Sequence, residues 1–173
     1  ERKRVGLVPS EDLGGCGISS RNLRLVHPDN RYWWNYALQH NIECIVQEIS
    51  DYLSCSVAIQ GELIGPGIQQ NKYLLNELAF YCFNIFNIDT QQYLPLYKKE
   101  AVCKKFNINL VPIDATQITI TDQHDVNYFI ELSKRKSFLN SKVTAEGVVG
   151  RLVDDESVSF KVINPEWLLK NDE

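Results

Sequence analysis

Residues 79–88 of this 173-residue chain read Ala-Phe-Tyr-Cys-Phe-Asn-Ile-Phe-Asn-Ile, and that run limits the fold more than any other stretch. It is far short of the roughly 20 apolar residues that span a membrane. Its aromatic and β-branched content suits a strand buried within a sheet. A second strand is expected at 57–63, stopped by Ile64-Gly65-Pro66-Gly67, and a third at 18–25. Residues 9–17 are rich in small residues and read as a loop, and 27–30 as a turn whose Asp29 or Asn30 suits a helix cap. Apolar residues at helical spacing, Trp33 through Leu53, predict one helix over 31–52. Further helices are expected at 96–106 and 124–136. Two terminal strands, 143–153 and 158–163, join through the acidic turn Asp154-Asp155-Glu156. Such an order predicts an α+β domain with largely antiparallel sheets.

Composition excludes several function classes. The net charge of −4 argues against a surface that binds nucleic acid everywhere, and leaves room for a local basic groove. Lys98, Lys99, Lys104, Lys105 and the run Lys134-Arg135-Lys136 read as solvated faces. The five cysteines include no Cys-x-x-Cys pair, and His27, His40 and His124 lack metal-ligand spacing. Scattered thiols in a reducing, intracellular compartment, cytoplasmic or nuclear, are therefore expected. Basic residues at the start have no apolar segment behind them, so no signal peptide is read there.

The charged residues set among apolar ones need a reason. Glu62 ends a strand beside Gly61; Glu146 lies between Ala145 and Gly147; Lys161 lies between Phe160 and Val162. A charge inside a sheet costs several kcal/mol unless it is paired or meets a ligand. Simple alternation on a half-exposed strand is the competing explanation for each. Two acids and a lysine could satisfy one another, or line a pocket for a polyphosphate and its cation.

Five ordered segments carry a resemblance: Ser20-Arg21-Asn22, Gln60-Gly61-Glu62-Leu63-Ile64-Gly65-Pro66-Gly67-Ile68-Gln69, Phe80-Tyr81-Cys82-Phe83-Asn84-Ile85, Ala145-Glu146-Gly147-Val148-Val149 and Ser159-Phe160-Lys161-Val162-Ile163-Asn164. Together they resemble the motifs of the covalent nucleotidyltransferases. The second segment is similar to RNA ligases in particular. His27-Pro28-Asp29-Asn30-Arg31-Tyr32-Trp33 and Glu166-Trp167-Leu168-Leu169-Lys170 are similar to the Deinococcus and Naegleria type of RNA ligase. The resemblance implies a nucleotidyltransferase fold, with mainly antiparallel sheets flanked by helices around a nucleotide cleft. It also implies an ATP-dependent activity with Mg²⁺ or Mn²⁺. A lysine would take AMP from ATP and pass it to an RNA 5′-phosphate, and an RNA 3′-OH would then displace it. By position in the motifs, Phe83 would stack on adenine, Glu62 would accept from ribose hydroxyls, and Arg21 would hold ribose or phosphate. Glu146 would hold the metal through water, and Lys161 would contact the AMP phosphate. Core packing is the alternative for Phe83, a solvated strand position for Arg21, and a turn or cap role for Asn22.

Two departures qualify the resemblance. The nucleophile of such enzymes lies in Lys-x-Asp-Gly ahead of the Arg21 segment. The nearest string here is Lys3-Arg4-Val5-Gly6, with Val5 at the aspartate's place. The sequence also has no Met. The expectation is a single ligase domain over 1–173, cut before that segment, with an oligonucleotide-binding domain further upstream. Where some relatives have Lys-x-Lys, Ile163 stands at the second place, and Lys170 is the candidate for that charge. Two rivals stay open: a degenerate domain that binds nucleotide or RNA ends without chemistry, and a DNA ligase or capping enzyme.

Overall fold

A computed structural model describes residues 5–8, 16–20, 24–25, 31–114, 118–153 and 155–171, without the side chains of 5–8 and 31. Lys3, Arg21, Asn22, the turn at 27–30 and most of the loop at 9–17 lie outside the described residues. The chain divides into two compact units, Glu1–Ile64 with Leu78–Val111 and Gly65–Glu77 with Pro112–Glu173.

The first unit is built on one sheet. Its strands are β1 (Val5–Val8), β2 (Gly17–Ser20), β3 (Val57–Ile64), β4 (Ala79–Asn87), β5 (Gln92–Tyr93) and β6 (Asn109–Leu110). They run in the order β2-β1-β3-β4-β5, with β6 also paired to β4. All pairings are antiparallel except β4 with β6. The apolar run at 79–88 is thus the inner strand that its composition predicts. Val57 and Ile59 of β3 and Cys82 and Ile85 of β4 are fully or almost fully buried. They meet Val46 and Ile49 of α2 (Ile42–Leu53) and Val102 and Cys103 of α3 (Leu96–Lys105) in one core.

The single helix expected over 31–52 is two, α1 (Arg31–Gln39) and α2. Asn41 breaks it, at φ 49° and ψ 40°, a left-handed conformation that asparagine tolerates better than most residues. Lys99 also departs from the expected solvated face. It is buried, next to Val102 and Cys103 at three and four residues' spacing on α3. β1, β5 and β6 are too short to have been anticipated.

The second unit holds α4 (Val126–Ser133), the hairpin of β7 (Gly147–Arg151) with β8 (Ser159–Ile163), and α5 (Pro165–Asn171). α4 is shorter than the expected 124–136: it begins at Val126, where the Asp125 carboxylate caps it by accepting from the Tyr128 backbone N–H at 2.8 Å, and it ends at Ser133. The acidic turn is a turn as expected in its described part: Asp155 accepts from the Ser157 backbone at 3.0 Å. α5 was not anticipated as a helix. Its Trp167 is buried and stacks on Tyr73, with ring centroids 5.7 Å apart. Among the described residues no helix is long and apolar enough to cross a membrane.

Ile85 has no exposed surface and Leu38 is largely exposed. Ile85→Ala should therefore cost about 2–5 kcal/mol of stability and Leu38→Ala less than about 0.5, as read by denaturant titration.

Candidate functional site

Two sets of expected residues are drawn together, one in each unit. In the first, the β3–β4 ladder pairs Gln60 with Asn84 and Glu62 with Tyr81. Side chains on one sheet face recur at every second residue. Gln60, Glu62, Tyr81 and Asn84 therefore share the face opposite the core. The register shifts between Gln60, which faces Asn84, and Gly61, which faces Cys82. Phe83 is the extra residue left between them, a β-bulge of the kind that re-aims a side chain. Phe80 packs against the core, and Phe83 is half-buried.

In the second unit, Lys161 Nζ donates to Glu146 Oε1 at 2.5 Å. The lysine side chain is 33% exposed and the glutamate's 18%, so this is a half-sheltered ion pair. Glu146 stands one residue ahead of β7 rather than inside it, a correction to the strand expected over 143–153. Regular alternation would part the pair, because Val149 lies opposite Lys161 and Gly147 opposite Ile163. The next residue back, Glu146, would fall on the other face. The irregularity is Gly147, with φ +157°, where a Cβ would lie 2.0 Å from the Val162 carbonyl oxygen. Asn164 secures the approach: its backbone N–H donates to the Glu146 carbonyl at 2.8 Å and its Nδ2 to the Ala145 carbonyl at 3.2 Å.

Lys170 is exposed in the last turn of α5, and Ile163 shares the sheet face of Lys161. Arg21 lies outside the described residues. A cavity of about 240 Å³, lined by Tyr36, His40, Phe80 and Phe106, opens on the helix side of the first sheet and includes no expected site residue. Sequence reasoning assigned no role to Gln60, Asn84, Gly147 or Asn164, although all four lie inside the motif strings. The polar Asn84 in an apolar strand was the available signal.

The model of the RNA ligase family matches residues 4–163. The chain belongs to the RNA ligase family. Solved structures agree with that membership. A variant of Naegleria gruberi RNA ligase with ATP and Mn matches at TM-score 0.82 and 27% identity, over 99% of this chain and 49% of that one. A second variant with ATP and Mn matches at TM-score 0.83 and 26% identity, over 100% and 50%. The Naegleria gruberi RNA ligase with PPi matches at TM-score 0.81 and 27% identity, over 99% and 49%. The chain thus spans about half the length of these structures. No curated protein sequence matches it. The mixed α and β architecture is that of an RNA ligase structure.

The donor set limits what cation this RNA ligase chain can hold. Among the described residues no three of His, Cys, Asp and Glu cluster as a metal-binding group. A cation at Glu146 would have that one carboxylate and take its remaining ligands from water and substrate oxygens, which suits Mg²⁺.

Substitutions in the hairpin should separate position from charge. Gly147→Ala should destabilise by at least about 2 kcal/mol, because its Cβ meets fixed backbone. Gly150→Ala should cost clearly less, because its Cβ meets only the ring of exposed Phe160. Glu146→Gln should change stability by less than about 1 kcal/mol, as expected for a partly exposed pair. Denaturant midpoints measure all three, and equal losses for the two glycine variants would contradict the geometry.

Proposed function

We propose that this chain is the nucleotidyltransferase domain of an ATP-dependent RNA ligase that joins 3′-OH and 5′-phosphate ends. The observation that carries the reading is the Glu146–Lys161 pair, found in a member of the RNA ligase family at the two places where the motifs put the metal and phosphate contacts. The relatives with ATP and Mn, and with PPi, support nucleotide and divalent-cation use.

Each step is a displacement at phosphorus: lysine on ATP with loss of pyrophosphate, the RNA 5′-phosphate on the lysine adduct, and the 3′-OH on the RNA adduct with loss of AMP. Positioning and charge stabilisation dominate such chemistry. Phe83, the bulged residue of β4, offers the base a stacking surface. Glu62, on the same sheet, accepts from the ribose hydroxyls. Lys161 supplies positive charge to the AMP phosphate, and its bond to Glu146 fixes the ammonium in place. Glu146 would hold Mg²⁺ or Mn²⁺ through water, and that cation, when bound, neutralises phosphate charge. Lys170 and Arg21 are further candidates for phosphate and ribose contacts. The nucleophilic lysine is assigned to a Lys-x-Asp-Gly segment, and an oligonucleotide-binding domain is proposed to act with this one on RNA.

The test is adenylylation and nick sealing by the protein that carries this chain with that lysine. Labelled ATP should give an acid-labile, base-stable adduct. Glu146→Ala should lower its rate at saturating ATP by roughly 10²-fold or more, since it removes an electrostatic stabiliser of the transition state. Glu62→Ala should act more on the apparent ATP constant, and should discriminate less between ATP and 2′-deoxy-ATP. Ordinary sealing by Glu146→Ala at normal Mg²⁺ would mean that Glu146 is only an alternating strand-end residue.

A further inference from the structure

One buried polar atom in the β3–β4 ladder is unaccounted for. Asn84 is 5% exposed. Its Nδ2 donates to Gln60 Oε1 at 3.2 Å. Its Oδ1 has no hydrogen-bond donor among the described residues. Native folds keep few such atoms, and each calls for an explanation, an absent ligand among them. Asn84 directly follows the bulged Phe83 and shares the sheet face of Gln60 and Glu62.

We propose that Asn84 is a specificity-determining residue whose Oδ1 accepts a hydrogen bond from the exocyclic 6-amino group of adenine. The assignment rests on the ligase reading and extends it to how the base is chosen. Phe83 offers any base a face to stack on, and stacking of that kind discriminates little. Choice needs a fixed polar group at the base edge. An unrestrained amide could rotate and present either its N–H or its oxygen. In the structure Gln60 accepts from Nδ2, which leaves Oδ1 as the atom that Asn84 presents. Adenine carries a donor at its 6-position, whereas guanine carries an acceptor there. Guanine would set two acceptors against each other, and a base without the amine would leave Oδ1 bare. A site built to hydrogen-bond a substrate group rejects analogues lacking it far more strongly than an apolar pocket does.

The experiment is calorimetric titration of the whole chain with ATP, GTP and purine riboside triphosphate, which is ATP without the 6-amino group. The unsubstituted chain should bind ATP about tenfold more tightly than purine riboside triphosphate, the loss typical of an unmatched buried hydrogen bond. Asn84→Leu, similar in shape but without the carbonyl, should bind the two equally. Asn84→Asp should keep the preference, with Gln60 turned to donate its amide N–H. Thermal melts establish that the variants fold. Should Asn84→Leu fail to fold, the unsubstituted chain and Asn84→Asp decide, and both must favour ATP. Equal binding of both nucleotides by the unsubstituted chain, or an equal weakening of both by Asn84→Leu, would overturn the assignment and leave the ligase reading intact. No binding of any nucleotide would overturn both.

Discussion

The antiparallel pairing of β3 with β4 is the constraint on which the first unit depends. It sends Val57, Ile59, Cys82 and Ile85 to one face, where α2 and α3 bury them. The same alternation sends Gln60, Glu62, Tyr81 and Asn84 to the other face, so the core and the polar row are two consequences of one register. The shift at Gln60/Gly61 is what lets both exist with a phenylalanine between them. In an even ladder with Phe83 paired, Asn84 and Tyr81, three residues apart, would lie on opposite faces. Gly61 permits the close approach, since a Cβ there would lie 2.4 Å from the Tyr81 carbonyl oxygen.

The second unit solves a related problem with another irregularity. A lysine in the middle of β8 and a glutamate at the entry to β7 would not meet in an even ladder. Gly147 and the clamp of Asn164 bring them together. Partial exposure keeps the desolvation cost of the pair modest, and the attraction correspondingly small. Its value lies in where it fixes a positive charge rather than in how much it stabilises the fold. The two units thus each place charged or aromatic side chains by a local break in β regularity, and such breaks are common beside functional sites.

Much of this was legible from the sequence. The run at 79–88 declared an inner strand because it is mostly apolar and aromatic, and Gly65-Pro66-Gly67 marked the end of β3. Glu62, Glu146 and Lys161 stood out as charges set among apolar residues. What stayed hidden depends on contacts distant in sequence. The break at Asn41 is one left-handed residue inside an otherwise periodic pattern. The burial of Lys99 follows from how α3 sits on the sheet, which its own composition does not reveal. The bulge at Phe83 is a property of two strands together, so neither strand read alone shows it. Asn84 was visible as a polar residue in an apolar strand, but its bond to Gln60 needs the register.

The central proposal is that the Glu146–Lys161 pair of the second unit meets the phosphate and the cation of a bound nucleotide. A crystal structure of this chain soaked with ATP and Mn²⁺, with the cation located by its anomalous scattering, tests that most directly. The account predicts the α-phosphate on Lys161 Nζ and Mn²⁺ joined to Glu146 through water. Nucleotide bound with Lys161 and Glu146 untouched would contradict it.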